Sequence, residues 1–203
     1  MKIFWNLPNI LSLTRIAAVP VVLFLVWPGI ENKITSAVAA LIYAIAGLTD
    51  IADGAIARKR NQVTVFGKFF DPMVDKLFYI IPLIGLLQLP EPRISAWILM
   101  LIVTRELTIT GLRGIAVSEG IIISASLGGK NKTAFATTGM CGLLIHYTYE
   151  LQISSFHTSI NFQKAGLFIT YVALFYSLTS GFFYIKDFLT ALNSPKKTAL
   201  PHS

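Results

Sequence analysis

Four aspartates, Asp50, Asp53, Asp71 and Asp75, fall close together in a chain that is 54% hydrophobic and only 13% charged. Their flanks, AVAALIYAIAGL before and LFYIIPLIGLL after, are continuous apolar runs. Like charges in a weakly polar setting raise one another's pKa and oppose assembly, so these carboxylates need partners. Hard oxygen donors with no soft ligand nearby suit magnesium, manganese or calcium, and two divalent cations would neutralise the four charges. The competing arrangement is a solvated network pairing the aspartates with Arg58, Lys59, Arg60, Lys68 and Lys76. Spacing favours convergence. Asp50, Asp53, Gly54 and Ala57 stand at i, i+3, i+4 and i+7, and Asp71 and Asp75 at i and i+4, so each set forms a stripe on one helical face. Gly54 and Ala57 open a groove on that face for a ligand or for a closely packed helix, with Gly67 one turn before Asp71. Arg58 brings a planar fork that suits a phosphate or a nucleobase carbonyl.

The elements that carry these residues follow from hydropathy. Apolar runs long enough to cross about 30 Å of hydrocarbon occupy residues 9–27, 34–53, 69–89, 94–113, 132–149 and 164–189. They predict an all-α polytopic membrane protein with six transmembrane helices. The segment KIFWNL before them reads as a short interfacial helix. Arg15 and Pro20 inside the first run, with WPGIENK after it, speak against a removable signal peptide. A connection of about a dozen residues would make the second and third spans antiparallel neighbours and set the aspartate stripes face to face. One membrane domain is expected over residues 1–189, with a cytoplasmic tail over 190–203.

Lys2, the group Arg58, Lys59, Arg60 and Lys68, then Arg113, Lys130 and Lys132, and finally Lys186, Lys196 and Lys197 share one side of such a topology. The opposite connections hold only Lys33, Arg93 and Lys164, so both termini and the aspartates are expected at the cytoplasmic face. The net charge of +7 then faces anionic headgroups, and nucleic acid is not an expected partner. Cys141 is the single cysteine, which excludes an internal disulfide.

Further basic residues suggest a second anion site. Arg105 and Arg113 lie on one broad side of the fourth run, and intramembrane arginine is a functional candidate by default. Lys130 and Lys132 flank the start of the fifth, where free amide groups and the helix dipole also attract an anion. Together they could hold a phosphate separate from any bound at the aspartates. The plainer alternatives are membrane anchoring for the lysines and a buried pair with Glu106 for Arg105. Asn9 and Thr14 place polar groups on the first helix as caps or interhelical hydrogen bonds, whereas Arg15 lies deep enough to need a snorkelling path or a buried anionic partner.

The pattern Asp50-x-x-Asp53-Gly54-x-x-Ala57-Arg58, eight residues, Gly67-x-x-x-Asp71-x-x-x-Asp75 resembles the full signature of the CDP-alcohol phosphotransferase family. The resemblance implies six transmembrane helices, a homodimer, two divalent metal ions, and transfer of a phosphatidyl group from a CDP-linked lipid to an alcohol with release of CMP. It implies that Asp50, Asp53, Asp71 and Asp75 ligate the metals, Mg2+ or Mn2+, and that Asp75 also acts as general base. It further implies that Gly54, Arg58, Thr64 and Gly67 contact the cytidine diphosphate, with Asn9, Thr14 and Ala57 counted to the same CDP-lipid site.

PN-x-L-x-x-x-R, R-E-x-x-x-[ST]-G-L-R and G-K-x-K-T-A-F are similar to the phosphatidylglycerophosphate synthase subfamily, whose substrates are CDP-diacylglycerol and sn-glycerol 3-phosphate. Gly114 and Ala136 depart from residues often polar there, and the connection ELQISSFHTSINFQ is long. Two other acceptors within the family stay open, an inositol phosphate and phosphatidylglycerol. A divalent-cation transporter could use the same carboxylates, but the chain shows no related halves.

Overall fold

The computed structural model describes residues 7–60, 65–121, 128–153 and 156–193. The side chains of 7–9, 11, 50–60, 65–69, 128–131, 151–153 and 156–157 lie outside that description. Among the described residues the elements are α1 (Leu7–Leu25), α2 (Lys33–Arg60), α3 (Val65–Leu87), α4 (Ala96–Ser118), α5 (Gly128–Ile145), β1 (Thr148–Ile153), β2 (Phe156–Asn161) and α6 (Phe162–Asn193). The expected interfacial helix and the end of the tail fall outside the described residues.

Each apolar run coincides with a helix, but the helices do not stop where the hydropathy does. α2 continues through the aspartate motif to Arg60, because Ala, Ile, Arg and Lys keep good helical propensity after the apolar character fades. α3 starts at Val65. The connection expected to span about a dozen residues is therefore reduced to residues 61–64. α6 likewise runs on to Asn193, past the expected start of the tail.

The chain is mostly helical, as expected, with one addition: the long connection before α6 is an antiparallel hairpin with Thr148 opposite Asn161 and Ile153 opposite Phe156. TYELQI and FHTSIN are rich in β-branched and aromatic residues, which suit a pleated ribbon. Asn161 joins this ribbon to α6. Its Nδ2 donates to Thr148 Oγ1 at 3.0 Å, and its Oδ1 accepts from the Lys164 backbone amide at 2.8 Å, capping the helix. A comparable cap starts α2, where Asn32 Oδ1 accepts from the amides of Ile34 and Thr35 while Thr35 Oγ1 accepts from the Asn32 amide.

α1 packs against both α2 and α3, α2 against α5, and α4 against α6. α5 and α6 form the most extensive pairing. They can do so because Gly142 and Gly166 meet without side chains: a Cβ on Gly166 would lie 2.6 Å from the Leu143 backbone nitrogen. The core is shared among α1, α2, α3, α4 and α5, around Val22, Tyr43, Leu83, Ile98, Met140 and Leu143, all essentially inaccessible to solvent. Tyr43 of α2 and Phe78 of α3 stack with ring centroids 4.4 Å apart.

The outside of the bundle is also apolar, with Phe24, Leu41, Met100, Phe168, Phe175 and Phe182 exposed. α6 is the one described helix long and apolar enough by composition to cross a membrane.

The two ends of the bundle carry different polar clusters. At one end the α1–α2, α3–α4 and α5–α6 connections meet around Arg93, whose side chain is 5% exposed. An α-helix leaves its last four carbonyls without helical partners, and here each of them is occupied. His146 N donates to Gly142 O, Tyr147 N to Ile145 O, and Arg93 Nη1 to Leu143 O and Leu144 O at 3.2 and 3.1 Å. Arg93 Nη2 pairs with Glu31, which also accepts from Ser36 Oγ, and Gln163 donates to the Arg93 carbonyl.

Candidate active site

At the opposite end, the packing of α1 on α3 decides which side chains meet. Ser12 and Arg15, three residues apart on α1, face Asp71 and Asp75, four apart on α3. Ser12 Oγ donates to Asp71 Oδ1 at 2.8 Å, Arg15 Nη1 donates to Asp75 Oδ1 at 2.5 Å, and Arg15 Nη2 donates to Ser12 Oγ at 3.2 Å. Asp75, Arg15, Ser12 and Asp71 thus form one chain of hydrogen bonds across the helix pair. Arg15 is 3% exposed, and the anionic partner its depth demands is Asp75. The Asp75 side chain is about half exposed and opens toward the cavity described next.

A cavity of about 460 Å³ is bounded by α1, α2, α3, α4 and α5 and is lined by Arg15, Asp75, Arg105, Arg113, Lys132 and Thr137 among others. Three of the four cations assigned to an acceptor phosphate therefore share one space with Asp75. The side chain of the fourth, Lys130, lies outside the described residues, as do those of Asn9, Asp50, Asp53, Gly54, Ala57, Arg58 and Gly67, and the whole of Thr64. Thr14 is exposed on α1 and is not among the residues lining the cavity.

Arg105 is held from three directions. Its Nε donates to Ser177 O at 2.9 Å, Nη2 to Ser180 Oγ at 2.8 Å, and Nη1 to Glu106 Oε1 at 3.1 Å. Gly181 allows this approach, since a Cβ there would sit 3.3 Å from Arg105 Nε. Glu106 is thus the buried partner weighed for Arg105, and it is also the partner of Lys132, whose Nζ donates to the same Oε1. Arg113 is more open, with its guanidinium 5.8 Å from the Tyr184 ring centroid.

Sequence reasoning had no signal for the Glu106–Lys132 bond, because the two residues stand on separate helices. It also did not find Ser12 as the link between Arg15 and Asp71. The i, i+3 repeat of polar residues on an otherwise apolar α1 is the trace it leaves in the sequence.

In chemical terms the cavity combines a carboxylate able to take a proton with several cations able to hold anions, inside walls formed by Tyr43, Phe78, Tyr79 and Ile109. Such a space can bring an anionic, hydroxyl-bearing ligand up to a carboxylate.

Comparison with known proteins agrees with this chemistry. The profile of the CDP-alcohol phosphatidyltransferase family matches residues 5–183. The chain is 34% identical over 201 residues to the CDP-diacylglycerol--glycerol-3-phosphate 3-phosphatidyltransferase of Bacillus subtilis, covering 94% of this chain and 98% of that protein. It is 32% identical over 186 residues to the protein of the same name from Rickettsia prowazekii, covering 92% and 97%. To that of Wigglesworthia glossinidia brevipalpis it is 36% identical over 153 residues, covering 73% and 81%.

Proposed function

The chain belongs to the CDP-alcohol phosphatidyltransferase family, and from that membership and its cavity we propose that it makes phosphatidylglycerophosphate and CMP from CDP-diacylglycerol and sn-glycerol 3-phosphate. The observation that carries the choice of acceptor is the meeting of Asp75 with Arg105, Arg113 and Lys132 in one cavity. A carboxylate is then within the same space as cations suited to the acceptor's own phosphate.

The covalent step is a displacement at phosphorus. The acceptor hydroxyl oxygen bonds to the phosphatidyl phosphorus, the bond from that phosphorus to the CMP oxygen breaks with its electron pair leaving on CMP, and the hydroxyl proton passes to Asp75. Arg15 holds the Asp75 carboxylate in place through its 2.5 Å hydrogen bond. The proton becomes acidic as the new bond forms, so a carboxylate of low basicity suffices. Arg113 and Lys132 hold the acceptor phosphate and orient the hydroxyl.

The donor set Asp50, Asp53, Asp71 and Asp75 is oxygen only, which suits two hard divalent cations, Mg2+ or Mn2+, and Asp71 and Asp75 lie one turn apart on α3. The chemistry supplied by such ions when bound is polarisation of the diphosphate and stabilisation of charge on departing CMP. Asn9, Thr14, Gly54, Ala57, Arg58, Thr64 and Gly67 complete the CDP-lipid side of the site.

The reading places six helices in a bacterial inner membrane, with the cavity end and both termini cytoplasmic and two copies of the chain forming a dimer. The apolar exterior and the collection of basic residues at the cavity end support that placement.

The test is to incubate purified protein with labelled CDP-diacylglycerol and, in turn, glycerol 3-phosphate, an inositol phosphate, phosphatidylglycerol and glycerol, with and without a chelator. Phosphatidylglycerophosphate is expected from glycerol 3-phosphate alone, and only with divalent metal. A lipid product from inositol phosphate instead would overturn the acceptor assignment, and an undiminished rate after exhaustive chelation would overturn the metal assignment.

A further inference from the structure

The cationic side of the cavity already holds an anion of its own. Glu106 is 12% exposed at its side chain, and one oxygen, Oε1, accepts from both Arg105 and Lys132. Among the described residues α4 and α5 do not pack against each other, so the Glu106–Lys132 bond bridges a gap, and both residues line the cavity that occupies it. A ligand whose anionic group engages Lys132 must part that bridge.

The two cations respond differently to such a ligand. Arg105 is tied to α6 by two further hydrogen bonds, to Ser177 and Ser180, and is fixed. Lys132 reaches Glu106 on a flexible four-carbon stem and can turn to a new partner. Carboxylate and phosphate therefore compete for one ammonium group.

We infer that Glu106 is a built-in counter-anion, displaced from Lys132 by the acceptor's phosphate and reclaiming the lysine as the phosphorylated lipid product departs. The inference rests on the phosphatidyl-transfer reading above. Without an internal competitor, two partly buried cations would hold the product by the same phosphate that admitted the acceptor. Glu106 limits that retention, so it exchanges tight binding for turnover.

The test is Glu106→Gln, which keeps the shape and removes the charge. Two partly buried cations then lack their neutralising carboxylate, and the repulsion between carboxylate and phosphate across one shared lysine, worth about tenfold in affinity, disappears. The protein as purified in detergent is titrated with inorganic phosphate while its unfolding temperature is followed, with no CDP-lipid present. Glu106→Gln is expected to respond at roughly tenfold lower phosphate than the parent chain. In turnover its KM for glycerol 3-phosphate should fall by a similar factor, its KM for CDP-diacylglycerol should stay, and kcat should drop.

An unchanged phosphate response, or a KM for glycerol 3-phosphate that rises, overturns the inference and makes Glu106 a structural clamp. If Glu106→Gln does not fold, Glu106→Asp replaces it. That shorter carboxylate weakens the bridge, so phosphate should bind about twofold tighter, and no change overturns the inference equally. A parent chain that makes lipid from glycerol 3-phosphate while the variants show no effect sinks the counter-anion alone. A parent chain that makes none sinks the functional reading, whatever the phosphate titration gives.

Discussion

Replacing Arg93 by methionine separates the role of the polar cluster opposite the cavity from that of the cavity itself. The substitution keeps an unbranched apolar stem and deletes the guanidinium. Leu143 O and Leu144 O then lose the donor that occupies them at the buried end of α5, and Glu31 loses its cation while keeping Ser36. Breaking a buried ion pair by removing one partner costs about 3–5 kcal/mol. Glu31 is 17% exposed and retains other contacts, which places the loss near the low end, about 3–4 kcal/mol. For a chain of this size that is a fall in unfolding temperature of roughly 10 °C. The assay is thermal unfolding of the purified protein in detergent, followed by helical circular dichroism, beside KM for both substrates. Adding Glu31→Gln to Arg93→Met should restore part of the loss, because the stranded charge goes. An unfolding temperature unchanged within about 2 °C would refute the capping argument, as would an altered KM without loss of stability.

Three other outcomes are expected. Asp75→Asn should keep the fold and the binding of CDP-lipid while losing turnover by at least about a hundredfold; undiminished CMP release would remove Asp75 from the proton-transfer role. Gly166→Ala should destabilise the protein by about 3 kcal/mol or more, because its Cβ would meet backbone atoms of Gly142 and Leu143 that cannot rotate away; unfolding temperature measures it, and a neutral result would mean that α5 and α6 lie further apart. Burial first, and then the Arg93 charge, hold His146 below its usual pKa of 6.5, against the opposing pull of Glu31. The unfolded chain therefore takes up this proton first as pH falls. The His146 contribution is present above about pH 6.5 and is lost as pH falls toward the folded-state value. Unfolding temperature between pH 7.5 and 5.5 should decline more steeply for the parent chain than for His146→Gln, and equal slopes would exclude His146.

The helices were legible because each needs a long apolar run, and six such runs stand in the sequence. Their ends were not, because hydropathy marks where apolar character stops and the backbone continues wherever propensity allows, as α2 does through Ala57, Arg58 and Lys59. The hairpin was hidden because Ser154 and Ser155, the two residues between its strands in the sequence, are not the glycine-containing pair that usually signals a tight reversal. In the site, the depth of Arg15 announced a partner, but the choice of Asp75 depends on which helix lies against α1. Glu106 was legible as a neighbour of Arg105 through adjacency, whereas its bond to Lys132 arises only when α4 and α5 are held on opposite walls of one cavity. Arg93 read as a lone basic residue in a short connection, and its duty to the end of α5 has no local sequence signature.

That duty turns the stretch between α3 and α4 into a ruler. Surface connections usually absorb insertions and deletions because nothing measures their length, but residues 88–95 must deliver one guanidinium to two carbonyls of a third helix. An indel of a single residue there would shift the cap off its seat even with every side chain retained. Fusion tags, reporter insertions and circular permutation are therefore poorly placed in this crossing, although it sits far from any reacting atom.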